Sequence, residues 1–455
     1  GSHNAFFPAI EGIYLDEQPT NNLVIEGMTL YCQTDCIGGA GSHNRVSIHG
    51  NIFQSAANGI TASGGQQWQI TDNLIQAQNN SILLINSRRA TVSGNHLSGT
   101  IGVVLQGATF SNIKNNAISK GWQGILVNAA ATNNLVSNNS MLGIQEAGVA
   151  LEPGARGNTL LANRVLCAPG VDCLDIDAAT ETLAQNRILP VQFRTIRSTP
   201  NRIVLTPADV NSAVDIENAI TQVTKNGTQP GTVILNGRKG PFTFSGADLS
   251  VNLFYSNITL RGINHAVING CDDGLVIDDV PADHLLVEEI TFLCSGDGIE
   301  AHGTHQDVSL RNNLIQAGAE GIWIENAAGW MIKNNLIQAP QDAIRATLAT
   351  GMTLESNHLS GFIGITLVQS TGITASHNLI DGAYQGILLA QQSQGNLVQS
   401  NRILAPTAAG VSLEADTTNN RILENYVLCA PGNTCLTIDA LPETMAANTV
   451  TGNRP

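Results

Sequence analysis

The side chains with the greatest chemical potential lie in the second half of the chain and recur at a nearly constant spacing. Glu300, Trp323 and Arg345 follow one another in steps of 23 and 22 residues, and His302 and Glu325 flank them. An indole can stack on a sugar ring, a carboxylate can bind hydroxyls or transfer protons, and a guanidinium can hold an acidic group. If they share one surface, these five residues predict a site for an acidic polysaccharide. The alternative is an exposed Glu–Arg pair that covers a tryptophan.

A second column of acidic residues precedes the same positions. It consists of Asp273, Asp297, Glu320 and Asp342, and the matching positions of the first half hold Glu11, Asp35, Asn58 and Asn80. Carboxylates stacked one strand spacing apart repel each other unless a cation or water lies between them. Clustered oxygen ligands suit Ca²⁺. The column therefore predicts a calcium site, and solvated turn carboxylates are the alternative.

Both columns are positioned by a repeat of 21 to 24 residues. Its pattern is apolar-x-apolar-x-x-Asn-apolar-apolar, as in residues 46–53, and a glycine followed by an apolar residue comes about eight positions later, as at Gly59 and Ile60. A period in the low twenties with short alternating apolar runs is typical of a solenoid. Val, Ile, Ala and Gly dominate where a leucine-rich repeat would need a ladder of leucines. We therefore predict an all-β parallel β-helix with three short strands per coil.

The recurring asparagine is interpreted as architecture and not as a site. It falls at Asn51, Asn73, Asn95, Asn116, Asn139, Asn163 and Asn186, and again at Asn313, Asn335, Asn357, Asn378, Asn401, Asn425 and Asn448. At a tight turn, a stacked Asn can bond the backbone of neighbouring coils and satisfy groups that burial would otherwise leave unpaired.

On these motifs, the sequence resembles the right-handed parallel β-helix superfamily of pectate lyases, polygalacturonases and related surface proteins over nearly the whole chain. In the resembled enzymes, substrate lies along the strand face that follows the glycine motif. The resemblance implies no single activity, because this fold hosts lyases, hydrolases, epimerases, adhesins and fibres. Residues 295–299 read Ser-Gly-Asp-Gly-Ile where polygalacturonases carry Gly-Asp-Asp. Pectate lyases use Ca²⁺ with Lys and Arg on the strand face, and only Arg345 is available here for that role. Catalytic residues of neither family are therefore assigned.

The two asparagine series differ by a constant offset of 262 residues, which indicates an internal duplication. We predict a first β-helix copy over 1–188, a linker and capping helix over 189–231, and a second β-helix copy over 232–455. The helix is expected over 209–225, where apolar residues recur at helical spacing. Its resemblance to the N-terminal cap of pectate-lyase-like proteins implies that it covers the open end of the second coil stack.

The first copy differs from the second in two ways. It has no such cap, so its first coil would expose strand edges; either the chain continues upstream or another molecule covers that end, and we expect self-assembly there. Its positions matching Glu300, Trp323 and Arg345 hold Gly38, Thr61 and Leu83. A glycan site is therefore expected in the second copy only.

Composition limits the partners and the compartment. The formal charge is −15, and the 21 Lys and Arg residues form no cluster, which argues against nucleic acid. No apolar run approaches ~18 residues, so no membrane span is predicted. Four disulfides and a secreted location, extracellular, periplasmic or at the cell surface, are predicted from the even number of cysteines. The predicted pairs are Cys32–Cys36, Cys167–Cys173, Cys271–Cys294 and Cys429–Cys435.

The regular coil length bears on function. Without insertions, there is little to wall a cleft and exclude water, which catalysis favours. This regularity favours an extracellular structural or surface protein whose face binds glycan and Ca²⁺. The competing hypothesis is a polysaccharide lyase, glycoside hydrolase or epimerase, with Glu300 or Glu325 as acid or base and Arg345 holding an acidic sugar.

Overall fold

The computed structural model describes residues 4–9, 12–16, 18–168, 173–189, 201–244, 249–277, 282–429 and 435–454. The chain divides into two compact units, residues 1–192 (unit 1) and 193–455 (unit 2). It is an all-β parallel solenoid of about 17 turns with few helices, as the repeat predicts. Glu11, the first-half position matching Asp273, and residues 190–200 of the predicted linker and capping helix over 189–231 lie outside the described residues.

Unit 1 consists of three eight-stranded parallel sheets, and each coil contributes one strand to each sheet. Sheet 1 holds Asn4–Ala9, Met28–Cys32, Ile52–Ser55, Leu74–Ala77, His96–Ser98, Ala117–Ser119, Ser140–Ile144 and Arg164–Cys167. Sheet 2 holds Ile13–Leu15, Ile37–Ala40, Ile60–Ser63, Asn80–Ile85, Ile101–Gln106, Gln123–Val127, Ala147–Leu151 and Leu174–Asp177. Sheet 3 holds Val24–Glu26, Ser47–His49, Gln69–Thr71, Thr91–Ser93, Asn112–Lys114, Leu135–Ser137, Thr159–Leu161 and Arg187–Leu189.

Unit 2 contains an 18-stranded sheet and a nine-stranded sheet. Sheet 4 holds Arg202–Leu205, Gly231–Asn236, Phe242–Thr243, Ile258–Cys271, Leu286–Cys294, Ser309–Arg311, Leu314–Gln316, Met331–Lys333, Leu336–Gln338, Thr353–Glu355, His358–Ser360, Thr374–Ser376, Leu379–Asp381, Leu397–Gln399, Arg402–Leu404, Arg421–Leu423, Tyr426–Leu428 and Thr449–Thr451. Sheet 5 holds Val251–Asn252, Leu275–Ile277, Ile299–Ala301, Ile322–Glu325, Asp342–Thr347, Ile363–Val368, Gln385–Ala390, Ala409–Leu413 and Leu436–Ala440.

The helices are short, and one of them was expected. Helix Ala213–Thr224 buries Ile216, Ile220 and Val223 and packs on sheet 4. It begins later than the predicted residue 209 because Ser212 and Asp215 form a capping box at its N-terminus, and a separate 3₁₀ turn occupies Pro207–Asp209. Its role as a cap stays a prediction. The remaining helical segments are Thr180–Ala184, Gly237–Lys239 and Pro442–Ala446. No helix in the described part of the chain is long and apolar enough to cross a membrane.

Each unit has its own apolar core of stacked aliphatic side chains. Alternate residues of each short strand point inwards, so Ile299, Ile322 and Ile344 are fully buried in register while their neighbours face outwards. All four predicted disulfides are present, and Cys271 and Cys294 are register partners in adjacent coils.

Asparagine ladders line the turns, as predicted, and among the described residues a second ladder accompanies the predicted one in each unit. Asn335, for example, accepts from the backbone N–H of Asn313 at 2.9 Å and donates to the carbonyl of Leu310 at 2.8 Å. Placing Asn186 and Asn448 in this ladder was wrong. They belong to second ladders, Asn134–Asn158–Asn186 and Asn396–Asn420–Asn448, and Asn453 continues the first ladder of unit 2. The five-residue helices lengthen the last coils and shift the register.

Candidate functional site

Three of the predicted glycan-binding residues form a row on sheet 5. Glu300 pairs in register with Trp323, and Trp323 pairs with Arg345. The glycine motif fixes this row: a Cβ on Gly298 would lie 2.1 Å from the Ile315 side chain, so only glycine lets the chain pass there. All three side chains are partly exposed. The structure therefore brings the predicted acid, aromatic ring and guanidinium together across three consecutive coils.

His302 connects the row to both flanking carboxylates. Its Nε2 lies 2.7 Å from Glu300 Oε1, its Nδ1 lies 3.3 Å from Glu325 Oε2, and its ring meets that of Trp323 edge-on at 4.9 Å. Burial lowers the pKa of His302, but the hydrogen bonds and charges of Glu300 and Glu325 outweigh it, and the net pKa is raised. The imidazolium form is therefore favoured, with its ring held against the indole.

His305, three residues on, supports the turn and is not part of the surface. It is fully buried, its Nδ1 accepts from the Ala282 backbone N–H at 3.1 Å, and its Nε2 donates to the His302 carbonyl at 2.6 Å. His43 occupies the matching turn of unit 1 and is likewise fully buried. Both histidines thus act as hydrogen-bonding partners of the backbone.

Arg345, the last member of the row, carries its permanent positive charge. Its Nη1 lies 3.7 Å from Asp342 Oδ2, and its side chain is 40% exposed. Burial raises the pKa of Asp342, although a hydrogen bond from Thr366 and the charge of Arg345 oppose the increase. Asp342 thus lies beside one terminal nitrogen of the guanidinium, and part of the Arg345 side chain stays open to solvent.

The acidic column of unit 2 stacks as predicted, and Glu300 joins it. Asp273 Oδ1 accepts from the Asp297 backbone N–H, and Asp297 Oδ1 accepts from that of Glu320, both at 2.8 Å. Oxygens of Asp273, Asp297 and Glu300 lie within 4.8 Å of one another, the one such group among the described residues. Glu320 and Asp342, also predicted as ligands, lie outside this group, and Asp342 is engaged by Arg345.

The electrostatics of this group, here called the carboxylate cluster (Asp273, Asp297 and Glu300), are unfavourable near neutral pH. Burial, with the carboxylates of Glu320 and Glu300, raises the pKa of Asp297 to about 6. Burial and neighbouring acids also raise the pKa of Asp273. The cluster therefore favours a proton or a cation among its oxygens.

Unit 1 shows what the same ladder needs for architecture alone. There, Asp35 Oδ1 accepts from the Asn58 backbone N–H at 3.0 Å, and Asn58 Oδ1 accepts from Asn80 Nδ2 at 3.0 Å. Amides supply both donors and acceptors, so this ladder satisfies itself. In unit 2, Glu320 and Asp342 stand at the positions of Asn58 and Asn80 and supply acceptors only. The carboxylates of Glu320 and Asp342 are therefore not required by this ladder, whereas Asp297 keeps the acid that unit 1 has at Asp35.

Sequence reasoning missed one exposed feature beside the row. Phe362 and Tyr384 stack in parallel, 5.0 Å apart, immediately before two neighbouring strands of sheet 5, and are 55% and 46% exposed. The sequence contains a signal for this pair, because each aromatic residue stands two positions before the motif glycine of its coil, Gly364 or Gly386.

Comparison with known proteins identifies a family. The family model described as "Periplasmic copper-binding protein (NosD)" matches residues 2–188 and 254–434. A search of curated proteins found none that matches this sequence.

The structure search matched an epimerase module, the protein sacteLam55A and a surface adhesin. The A-module of mannuronan C-5 epimerase AlgE4 from Azotobacter vinelandii is 12% identical, with 93% of this chain and 91% of that chain covered and a TM-score of 0.34. The protein sacteLam55A from Streptomyces sp. SirexAA-E is 10% identical, with 92% of this chain and 97% of that chain covered and a TM-score of 0.35. The surface adhesin PfbA of Streptococcus pneumoniae is 11% identical, with 90% of this chain and 84% of that chain covered and a TM-score of 0.22. At these identities, the likeness concerns the fold alone.

Proposed function

The chain belongs to the NosD family of periplasmic proteins and to the right-handed parallel β-helix superfamily, and we propose that it is a polysaccharide-binding protein. Its ligand is an acidic glycan that lies along sheet 5 of unit 2. The observation that carries the proposal is the row of Glu300, Trp323 and Arg345 in three consecutive coils, with His302 packed against the indole.

Each member of the row has a distinct part in binding. Trp323 offers an aromatic surface to a sugar ring, and Arg345 offers a partly exposed guanidinium to a sugar carboxylate. Glu325 accepts hydroxyl hydrogen bonds beside His302. Phe362 and Tyr384 continue the aromatic surface one and two coils beyond Arg345.

Acidic side chains outnumber basic ones around the row, which favours a bound cation. Arg345 contacts Asp342, His302 contacts Glu300 and Glu325, and the carboxylates of Asp273, Asp297 and Glu320 lie beside them. An acidic glycan would be repelled by this excess. We propose that a hard divalent cation, Ca²⁺, binds the carboxylate cluster, offsets the repulsion and contributes a bridge to the sugar carboxylate.

Copper, which the family description names, does not fit the described residues as a resident metal. Copper sites draw on thiolate, thioether or imidazole ligands. All eight cysteines form disulfides, and the carboxylate cluster, which contains only oxygen donors, is the one metal-sized group in the described part of the chain. No step of the proposal therefore involves copper.

A binding experiment with chemical readout tests this function. Retention of the full chain on an acidic polysaccharide, polygalacturonate or alginate, is compared with that on neutral dextran, in Ca²⁺ and in EDTA. Trp323→Ala and Arg345→Ala should each weaken binding in Ca²⁺ at least about tenfold. Leu83→Ala, at the unit 1 position that matches Arg345, is the control and should bind as wild type.

Two outcomes would revise the proposal. If both unit 2 variants bind as wild type does, the row is not the glycan site. If new reducing or unsaturated ends appear, the chain is an enzyme, and Glu300→Gln and Glu325→Gln then identify which carboxylate of the His302 pair transfers the proton.

A further inference from the structure

Unit 1 contains a pocket at the positions that match the glycan-binding row of unit 2. It opens on sheet 2 and has a volume of about 260 Å³. Tyr14 forms one side, and Asp35, Gly38, Thr61 and Ser63 lie around it. Sequence reasoning excluded a site here because the side chains of the unit 2 row are missing from unit 1.

The missing side chains create the pocket. Gly38, Ala40, Thr61 and Ser63 stand where unit 2 carries Glu300, His302, Trp323 and Glu325. The strand pairing is the same in both places, since Gly38 pairs with Thr61 as Glu300 pairs with Trp323. Replacing four large side chains by small ones on the same backbone leaves open volume instead of a filled surface.

Glycine at position 38 also places the aromatic side of the pocket. A Cβ on Gly38 would lie 2.9 Å from Cδ2 of Tyr14, so any larger residue would displace the ring. The Tyr14 ring remains 56% exposed. The pocket thus has a backbone floor and an aromatic wall that is open to a ligand.

The polar groups of the pocket are few and well positioned. Asp35 is held in place, because its Oδ1 accepts from the Asn58 backbone N–H and its Oδ2 accepts from the Thr61 hydroxyl at 2.5 Å. The Ser63 hydroxyl makes no hydrogen bond to the described part of the chain. Asp35 is the one charged side chain among the described residues that line the pocket. This set disfavours an acidic ligand and offers hydrogen bonds to hydroxyl groups.

We propose that this pocket binds a single uncharged pyranose residue. Its ring stacks on Tyr14, and its hydroxyls bond Ser63 and the Asp35 carboxylate. A volume of about 260 Å³ has room for a sugar ring. The proposal is independent of the acidic-glycan site, because it uses other residues and needs no cation.

Titration of the full chain with uncharged methyl pyranosides, the α-methyl glycosides of glucose, galactose and mannose, tests the proposal. The titrations are followed by saturation-transfer NMR in EDTA, so that the cation-dependent site of unit 2 is silent. At least one methyl pyranoside should bind saturably, and glucuronate should bind more weakly. Tyr14→Ala should weaken binding about tenfold, Tyr14→Phe should retain it, and Thr61→Trp should abolish it by filling the pocket.

The matched control is Val276→Ala, at the unit 2 position corresponding to Tyr14, which should bind as wild type. Saturable binding that Tyr14→Ala weakens and Tyr14→Phe preserves supports the proposal. Absence of saturable binding by all three methyl pyranosides, equal binding by Tyr14→Ala, or tighter binding of glucuronate would each overturn it. Because Tyr14 is largely exposed, the Ala and Phe variants should keep the wild-type melting temperature.

Discussion

At the residue scale, His302 is where the electrostatics of the candidate site can be measured most directly. Its imidazole contacts Glu300 and Glu325, and its pKa is raised by them against the opposing effect of burial. The folded state therefore binds a proton at His302 more tightly than the unfolded chain does. This contribution to stability is complete below about pH 6.5, the usual histidine pKa, and is lost as the pH rises through the raised value.

We therefore expect His302→Gln to lower the free energy of unfolding of unit 2 by about 1 kcal/mol at pH 6 and by less at pH 9. Chemical denaturation at the two pH values measures this difference. His284→Gln is the matched control, because the pair of His284 with Asp307 is 61% and 66% exposed and should contribute little at either pH. An equal loss at pH 6 and pH 9 would show that the charge of His302 is not what stabilises the cluster.

Asp297 shifts stability in the same direction as His302, but over a lower pH range. Its pKa rises to about 6 in the folded protein, mainly through burial, so the folded state favours the protonated acid. Stability contributed at this site is therefore present below about pH 4 and falls as the pH rises from 4 to 6. Asp297→Asn should raise the melting temperature at pH 7.5 in EDTA, by an amount equivalent to about 1–3 kcal/mol, and should have little effect at pH 4.

A cation should act on the same residue. Ca²⁺ should raise the melting temperature of the wild type at pH 7.5 and raise that of Asp297→Asn much less. The control is Asp35→Asn, at the matching position of unit 1. The Asp35 carboxylate already accepts hydrogen bonds from Asn58 and Thr61, so this substitution should not raise the melting temperature. Identical Ca²⁺ responses of wild type and Asp297→Asn would remove Asp297 from the cation site.

At the scale of the element, the asparagine ladders are the most sequence-specific part of each coil. Asn335 lies inside a ladder and is nearly fully buried, so Asn335→Ala leaves the Asn313 N–H and the Leu310 carbonyl unpaired. We expect a loss of about 3 kcal/mol in the free energy of unfolding, measured by denaturant titration. Asn453→Ala, at the half-buried end of the same ladder, should cost less. Equal losses of unfolding free energy in the two variants would contradict the expectation that the more buried asparagine contributes more.

The coil repeat made the fold predictable, since inward aliphatic residues, motif glycines and turn asparagines each recur once per coil. It also explains the errors. The step from Asn425 to Asn448 looks like one coil, but the helix Pro442–Ala446 lies within the last turn, and Asn453 is the true ladder partner. Periodicity measures sequence distance, and a short helix uses residues without advancing the stack in the same proportion.

The candidate site was predictable in its columns and not in its contacts. Register alone places Glu300, Trp323 and Arg345 in a row, because strand neighbours are one coil apart. Side-chain direction then decides the contacts. Glu300 reaches both His302 and the carboxylates of Asp273 and Asp297, which sequence spacing does not encode. The pocket beside Tyr14 was missed for a related reason, since small residues in a sequence indicate lost contacts, while on a fixed backbone they also create space.

At the scale of the whole molecule, the net charge and the oxidising location both limit which ligands and metals the chain can bind. The net charge of −15 opposes an acidic glycan at long range, and the acidic surroundings of the row oppose it at contact. Four disulfides agree with the periplasmic family and an oxidising location. With every cysteine oxidised, no thiolate is available for Cu(I), and the one His/Cys/Asp/Glu cluster in the described part of the chain offers hard oxygens only.

This donor set makes a prediction about metal choice for the intact chain. Cu(I) prefers thiolate and thioether sulfur, whereas Ca²⁺ and Mn²⁺ prefer carboxylate oxygen. Purified protein exposed to Cu(I), then to the competing chelator bicinchoninate, should retain far less than one equivalent of copper. The same protein should show a Ca²⁺-dependent rise in melting temperature that Glu300→Gln reduces, because Glu300 contributes one oxygen to the cluster. Retention of one equivalent of Cu(I) would contradict the prediction and place a copper site on residues other than the carboxylate cluster.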